Sequence, residues 1–100
     1  MLLRIVRMQF REEEVETFTA LFDQVKSKIR NFEGCNYLKL MRDHHNPAIF
    51  VTYSKWESQE HLDGYRHSEL FKATWKKTKV LFAEKPIAFS LEEFSGEVPL

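Results

Sequence analysis

Three neighbouring residues, Tyr65, Arg66 and His67, have side chains of types suited to proton transfer and anion binding. An imidazole that titrates near neutral pH takes a proton from a phenol or an enol, and a guanidinium stabilises the resulting anion. Consecutive helical residues point about 100° apart, so the three side chains cannot all face one cavity. We therefore take His67 and Tyr65 as candidate catalytic residues and Arg66 as a candidate anion binder. A solvent-exposed His67 without a role is the simpler alternative.

Aromatic side chains around this group could wall a pocket for a small aromatic molecule. The candidates are Trp56, Tyr65, Phe71 and Trp75. Core packing is the simpler interpretation for Phe71, and for Trp56 at the end of a strand. Tyr65 and Trp75 have polar tips that need partners, and they fit a pocket or the core equally well. The substrate-binding candidates are therefore Trp75, Arg66, Trp56 and Phe71.

A further candidate for catalysis is Arg7, which lies in an otherwise apolar segment. Its guanidinium would hold an anionic substrate. The alternative is a charge at a sheet edge or dimer interface, paired with a carboxylate. Alternation along residues 2–10 places Val6, Met8 and Phe10 on one face and Arg7 on the other. The direction of the Arg7 side chain relative to a pocket stays open at this point.

The sequence contains no motif typical of a metal site or a nucleotide-binding site. His44 and His45 are adjacent, and His61 and His67 are six residues apart, so no pair has the i, i+4 spacing of helical metal ligands. Cys35 has no neighbouring His or Asp in sequence and is interpreted as a buried, unreactive thiol. The three glycines form no phosphate-binding loop. We expect no metal and no cofactor.

Hydrophobic periodicity predicts the elements that position these residues. Residues 2–10 alternate as a strand, and apolar residues three and four apart predict a helix over 11–32. Residues 36–42 and 49–56 predict an antiparallel pair, because they are rich in β-branched and aromatic residues. Ser58 and Ser68 are predicted N-caps of two further helical segments. Pro86 is predicted to end the second of these helices, and residues 87–94 alternate as a last strand. The order is βαββαβ, which predicts an α+β fold.

Composition limits the classes of protein to which the chain can belong. Its 100 residues suffice for one domain, 1–100, with a short tail from about residue 95. Fifteen basic and fifteen acidic residues give a net charge of zero, so we expect no nucleic-acid or membrane partner. No apolar run approaches the roughly 20 residues of a membrane helix. Arg4 and Arg7 interrupt the first ten residues, where a signal peptide would need an unbroken apolar region. We therefore expect a cytoplasmic protein.

Both faces of the predicted sheet carry apolar residues, whereas the helices can cover only one face. In one strand, for example, Val51 and Tyr53 alternate with Phe50 and Trp56. A solvated second face with this composition is unfavourable. We therefore expect a homodimer that closes sheet against sheet.

The segment from Trp56 to Trp75 resembles the signature of antibiotic biosynthesis monooxygenase (ABM) domains. The matching residues are a strand-ending Trp56, S-x-E-x-L at Ser58, Glu60 and Leu62, an aromatic residue at Tyr65, then Ser68 and Phe71. The resemblance implies a ferredoxin-like βαββαβ fold with a four-stranded antiparallel sheet. It also implies a dimeric α/β barrel with a pocket between the sheet and helices of each protomer.

Two functional branches of the family differ in residues that can be compared here. Haem-degrading members carry an Asn on the first strand, a Trp on the second helix and a His about ten residues later. This sequence has no Asn in residues 2–10, and has Tyr65 and Trp75 at the other two positions. The resemblance therefore implies a cofactor-independent monooxygenase, which deprotonates a small phenolic or quinol-type substrate that then reacts with O2. Many other members have His at the Tyr65 position, and this departure adds weight to the alternative of a non-catalytic binding dimer. An isomerase that uses the same pocket is a further alternative.

Overall fold

The computed structural model describes all 100 residues as a four-stranded antiparallel sheet with helices on one face. The elements are β1 (Leu2–Gln9), α1 (Val15–Arg30), β2 (Cys35–Arg42), β3 (Ile49–Trp56), α2 (Gln59–Arg66), α3 (Glu69–Lys79) and β4 (Ile87–Leu91). The strand order is β2-β3-β1-β4, as in ferredoxin-like folds. The predicted α+β class and βαββαβ order are confirmed, with the second helical region divided into α2 and α3.

Helix α1 is shorter at both ends than the predicted helix over residues 11–32. Glu12–Glu14 form a 3-10 turn, and the α-helix begins at Val15. At the other end Asn31 takes the cap position, where its side-chain amide donates to the Ser27 carbonyl at 2.8 Å. Gly34 has a positive φ of 86° but lies in the turn before β2, beyond the end of the helix.

The two serine caps predicted from the sequence are confirmed. The backbone amide of His61 donates to Ser58 Oγ, and that of Phe71 donates to Ser68 Oγ. These caps satisfy amide groups that have no partner within the helix. The break between α2 and α3 falls at His67 and Ser68.

The end of the chain departs from the predicted helix and strand. Helix α3 ends at Lys79, well before Pro86. Strand β4 ends at Leu91 instead of residue 94, and Phe94 is fully exposed. The strand ends early because β4 pairs with β1 only from Leu3 to Arg7 and has no partner beyond Leu91. After α3 the chain instead bonds to the end of β1, where Phe82 forms a β-bridge with Phe10.

The core between sheet and helices divides into two clusters. One, here called the phenylalanine cluster, consists of Met8, Phe10, Phe18, Phe50 and Leu81. The other, here called the tryptophan cluster, consists of Cys35, Trp56 and Leu62. Strands β1 and β3 run from one cluster to the other. Their side chains on the helix-covered face form the floor of the space between the two clusters.

The opposite face of the sheet, here called the outer face, is not covered by any part of the chain. Strand alternation directs Leu3, Ile5 and Arg7 of β1 towards it. On the two edge strands, β2 and β4, its apolar side chains include Tyr37, Met41, Ile87, Phe89 and Leu91, which are 36–52% exposed. In addition, no helix of the protein has the length and apolar content needed to cross a bilayer.

Candidate active site

A cavity of about 250 Å³ lies between the phenylalanine and tryptophan clusters, enclosed by the sheet and all three helices. Twelve of its nineteen lining residues are hydrophobic. Ligand sites in proteins are typically concave and mostly apolar, with a few polar groups that orient the ligand. The cavity has this character and is large enough for a small aromatic molecule.

The floor of the cavity changes from polar to apolar along β1. Arg4 pairs in register with Ser54 and Ser90, whereas Met8 pairs with Phe50. Between them, Val6 lies in the floor beside a threonine of β3 and an alanine of β4. Since a strand rises about 3.3 Å per residue, the Arg4 and Met8 positions are roughly 13 Å apart. The cavity therefore has one charged end and one apolar end.

Two arginines, Arg4 and Arg66, supply the charge at the polar end. Arg4 is half-buried and donates from Nη1 to Ser90 Oγ at 3.1 Å, while Arg66 is exposed in the last turn of α2. Burial lowers the pKa of Arg4, the positive charge of Arg66 lowers it further, and Asp63 opposes both effects. Neither guanidinium forms an ion pair with a carboxylate. The protein's ion pairs involve only Arg11 and Lys26.

The phenol of Tyr65 lines the cavity beside the tryptophan cluster. Its ring stacks on Trp56 and meets Phe32 and Phe71 edge-on. Burial, and to a smaller extent the nearby Cys35, raise the pKa of this phenol well above its ordinary value. Tyr65 is therefore a neutral hydrogen-bond donor at physiological pH and a poor proton acceptor.

All four aromatic residues singled out from the sequence line this one cavity. Trp56 is also a core residue, 1% exposed, whose Nε1 donates to Ser54 Oγ at 2.9 Å. Phe71 and Trp75 lie nearly parallel, 10° apart with ring centroids 5.8 Å apart. Trp56 therefore packs in the core and also lines the cavity, and Tyr65 packs against the same tryptophan cluster.

His67 and Arg7 lie outside the cavity. His67 is exposed at the C-terminal cap of α2, where Nδ1 donates to the Asp63 carbonyl at 2.7 Å. Arg7 projects from the outer face, in register with Val51 and Ile87. The reason is geometric: Arg7 is an odd-numbered residue of β1, whereas the helices cover the face of Arg4 and Met8.

Arg4 is the charged lining residue that the sequence analysis did not single out. Part of the signal was present, since alternation places Arg4 on the same face of the strand as Val6 and Met8, opposite Arg7. Which of the two faces the helices cover was left open by the sequence. Of the Tyr65, Arg66 and His67 group, the first two line the cavity and the third does not. The geometry therefore brings Arg4 and Arg66 together in place of Arg7.

No Asp, Glu, His, Lys or Cys lines the cavity, so its lining has two positive charges and no negative one. Cys35 lies nearby in the tryptophan cluster, where burial raises the pKa of its thiol. Its Sγ is 3.6 Å from the Tyr37 carbonyl oxygen. No group of three or more His, Cys, Asp or Glu side chains converges as a metal site would require.

The sequence matches a family model described as antibiotic biosynthesis monooxygenase over residues 1–77. The chain belongs to this family. The matched part of the ABM domain runs from β1 into α3 and contains every lining residue except Thr78, Pro86 and Ala88. No functionally curated protein matches the sequence.

Solved structures support the same assignment at the level of fold. A crystal structure titled antibiotic biosynthesis monooxygenase aligns with a TM-score of 0.89 and 19% identity, covering 95% of this chain and all, 100%, of that one. A conserved protein from Methanosarcina mazei Go1 aligns with a TM-score of 0.88, 20% identity and 94% coverage of both chains. Rv0793 from Mycobacterium tuberculosis gives 0.87 and 18%, covering 97% of this chain and 98% of that one. At such identities the ABM domain shares their fold, and its chemistry must be argued from its own residues.

Proposed function

We propose that this ABM domain is a cofactor-independent monooxygenase acting on a small phenolic or quinol-type aromatic substrate. The observation that carries the proposal is the cavity itself, in which aromatic walls adjoin a pair of arginines that have no carboxylate partner. A reaction between an electron-rich aromatic anion and O2 needs a dry pocket and a group that stabilises the anion. The lining residues supply both.

The substrate ring would stack against Tyr65 and Trp75, which line the cavity from α2 and α3. Its ionising oxygen would face the polar end, towards Arg4 and Arg66. In this orientation the apolar part of the substrate occupies the end near Met8 and Phe18. The arrangement fixes the ring between aromatic walls before oxygen reacts.

Deprotonation would depend on the arginines, since the cavity has no side chain able to act as a base. Positive charge within a few ångströms favours the ionised form of a phenol or enol and lowers its pKa. The proton would leave to solvent on the side where Arg66 is exposed. Tyr65, which stays protonated, would donate a hydrogen bond to the anion.

The redox step balances with O2 as the oxidant and the substrate as the reductant. The anion transfers an electron to O2, and the radical pair recombines with formation of a C–O bond at a ring carbon that still carries a hydrogen. Proton uptake gives a hydroperoxide. Its O–O bond then breaks as the remaining C–H proton is lost, leaving a carbonyl and releasing water. One oxygen atom enters the product and the other becomes water.

Oxygen uptake by metal-stripped, flavin-free protein tests the proposal, over a panel of anthrones, hydroquinones and catechols with protein-free blanks. Protein-dependent uptake, with one atom of labelled O2 in the product, is the expected result. Turnover that continues under nitrogen would instead identify an isomerase. Ligand binding without either reaction would support a non-catalytic binding domain, which the absence of a lining base favours as the second candidate.

The same proposal includes a homodimer formed through the outer face. Its support is the apolar, exposed character of Ile87, Phe89 and Leu91 on β4 and of Tyr37 and Met41 on β2. Monomeric proteins rarely expose contiguous apolar surface of this kind. Pairing two outer faces would bury both surfaces and leave each cavity on its own helix-covered side.

A further inference from the structure

The positive charge of the cavity lining is not balanced by an acidic residue of the lining. The chain as a whole is neutral, yet the lining contributes Arg4 and Arg66 and no acidic residue. Asp63, which does not line the cavity, raises the pKa of Arg4, but its carboxylate accepts a hydrogen bond from Gln59 Nε2 at 2.8 Å and forms no ion pair with Arg4. Placing cations together without an anion is unfavourable unless something else offsets their repulsion. An anionic ligand would do so.

A single phenolate would offset only one of the two charges. The phenolate is also formed at the site, whereas the two guanidinium groups are charged before any ligand arrives. A ligand that enters with a negative charge of its own and gains a second one on ionisation matches both arginines. This points to a ligand with a permanent acid group beside its ionisable hydroxyl.

The donors at the polar end suit a planar acid group. A guanidinium has five N–H donors in a fixed fork, and the hydrogen bond from Arg4 Nη1 to Ser90 uses one of them. That bond holds the side chain while leaving other donors free. Arginine binds carboxylates through two parallel hydrogen bonds, which a phenolate with one oxygen cannot accept in the same way.

The position of the charges completes the argument. Arg4 and Ser54 lie at one end of the floor and Met8 at the other, roughly 13 Å away. A ligand with a carboxylate at one end and a ring at the other would fit this polarity in one orientation only. We propose that the ligand of this cavity is a small hydroxyarenecarboxylate, with its carboxylate and the adjacent hydroxyl facing Arg4 and Arg66 and its ring among the aromatic side chains.

This inference deepens the proposed function and shares with it the assumption that the cavity is the substrate site. It is tested separately by binding, under nitrogen, so that no oxygen chemistry intervenes. Isothermal titration calorimetry would compare acids with their neutral carboxamides: salicylate against salicylamide, and benzoate against benzamide. We expect each acid to bind at least about tenfold more tightly than its amide, because hydrogen bonds to charged groups are the stronger ones.

Variants identify the groups responsible for this preference. Arg4→Gln and Arg66→Gln should each reduce the acid-over-amide preference, and Arg4→Lys should restore part of it because it keeps the charge but loses the fork. The matched control is Arg7→Gln, on the same strand but on the outer face, which should keep the wild-type preference. Thermal unfolding of each variant would show that the fold is intact.

The outcomes separate the ligand class from the reaction. Equal binding of acids and amides, or failure of salicylate to bind, would overturn the hydroxyarenecarboxylate, and oxygen uptake on neutral quinols would still support the monooxygenase. Acid preference that depends on Arg4 and Arg66 without any oxygen uptake on hydroxyarenecarboxylates would support the ligand class and contradict the monooxygenase. A preference unchanged in both arginine variants would also overturn the proposal.

Discussion

The indole of Trp56 and the phenol ring of Tyr65 are stacked, with ring centroids 4.9 Å apart and planes 24° apart. Trp56 ends β3 and Tyr65 lies in α2, so this contact joins the sheet to the helical layer. Both residues also line the cavity. The packing of the tryptophan cluster and the shape of the candidate site therefore depend on the same two side chains.

Removing the indole should destabilise the protein. Trp56→Ala is expected to lower the free energy of unfolding by about 3–5 kcal/mol, because a buried aromatic side chain is lost and a void is left. The loss also removes the hydrogen-bond donor to Ser54 Oγ. Urea unfolding measures the change. Phe94→Ala is the control, since Phe94 is fully exposed and should change stability by no more than about 0.5 kcal/mol.

The phenol of Tyr65 predicts a pH dependence of stability. Its pKa is raised in the folded protein, so the neutral phenol is favoured by folding, and this contribution is fully present below the ordinary pKa of 10.0. As pH rises above about 10, the unfolded chain ionises first and that contribution is lost. Wild type should therefore lose stability above this pH more steeply than Tyr65→Phe. Parallel urea titrations between neutral and alkaline pH, with coincident curves for the two proteins, would contradict the burial of this phenol.

Gly34 should tolerate substitution poorly. Its φ of 86° is disfavoured for other residues by roughly 1–2 kcal/mol. A Cβ at this position would also lie 2.4 Å from the side chain of His61. Gly34→Ala is expected to lower the unfolding midpoint in urea clearly more than Gly96→Ala. Gly96 is the matched control, because its φ is 73° and no atom lies within 4 Å of the added Cβ.

Oxygen uptake on a substrate identified in the panel would show whether deprotonation depends on the charge of Arg4 or on His67 as a base. Arg4→Gln is expected to reduce kcat/KM by about tenfold or more. It should also move the pH dependence of kcat/KM to higher pH, because removing a nearby cation raises the pKa of the substrate phenol. His67→Gln should leave the pH dependence unchanged, since His67 lies outside the cavity. A pH profile altered by His67→Gln alone would return the base to the residue singled out from the sequence.

The outer face predicts the oligomeric state. Sedimentation equilibrium at micromolar concentration is expected to give twice the chain mass of 12.0 kDa. Phe89→Glu should shift the mass towards one chain, because it places a charge in the apolar face that the dimer would bury. Lys77→Glu, on the exposed side of α3, is the control and should remain dimeric. A wild-type mass of one chain would contradict the dimer.

Periodicity and capping predicted most of the fold because both depend on neighbouring residues. The bounds of β3 and the caps at Ser58 and Ser68 were obtained from spacing and residue type alone. Element ends at α1, α3 and β4 were predicted too long. Those ends are set by where a partner strand or a tertiary contact stops, which the local pattern does not contain.

The sequence by itself determined which residue types are available: an aromatic group in α2 and α3, Arg66 beside Tyr65, and two faces of β1 that alternation separates. Only the tertiary structure decided that Arg4 meets Arg66, and that Arg7 and His67 lie outside the cavity. The physical reason is that a cavity is formed by residues distant in sequence. Whether two charges converge depends on the register between strands and the packing of helices over them.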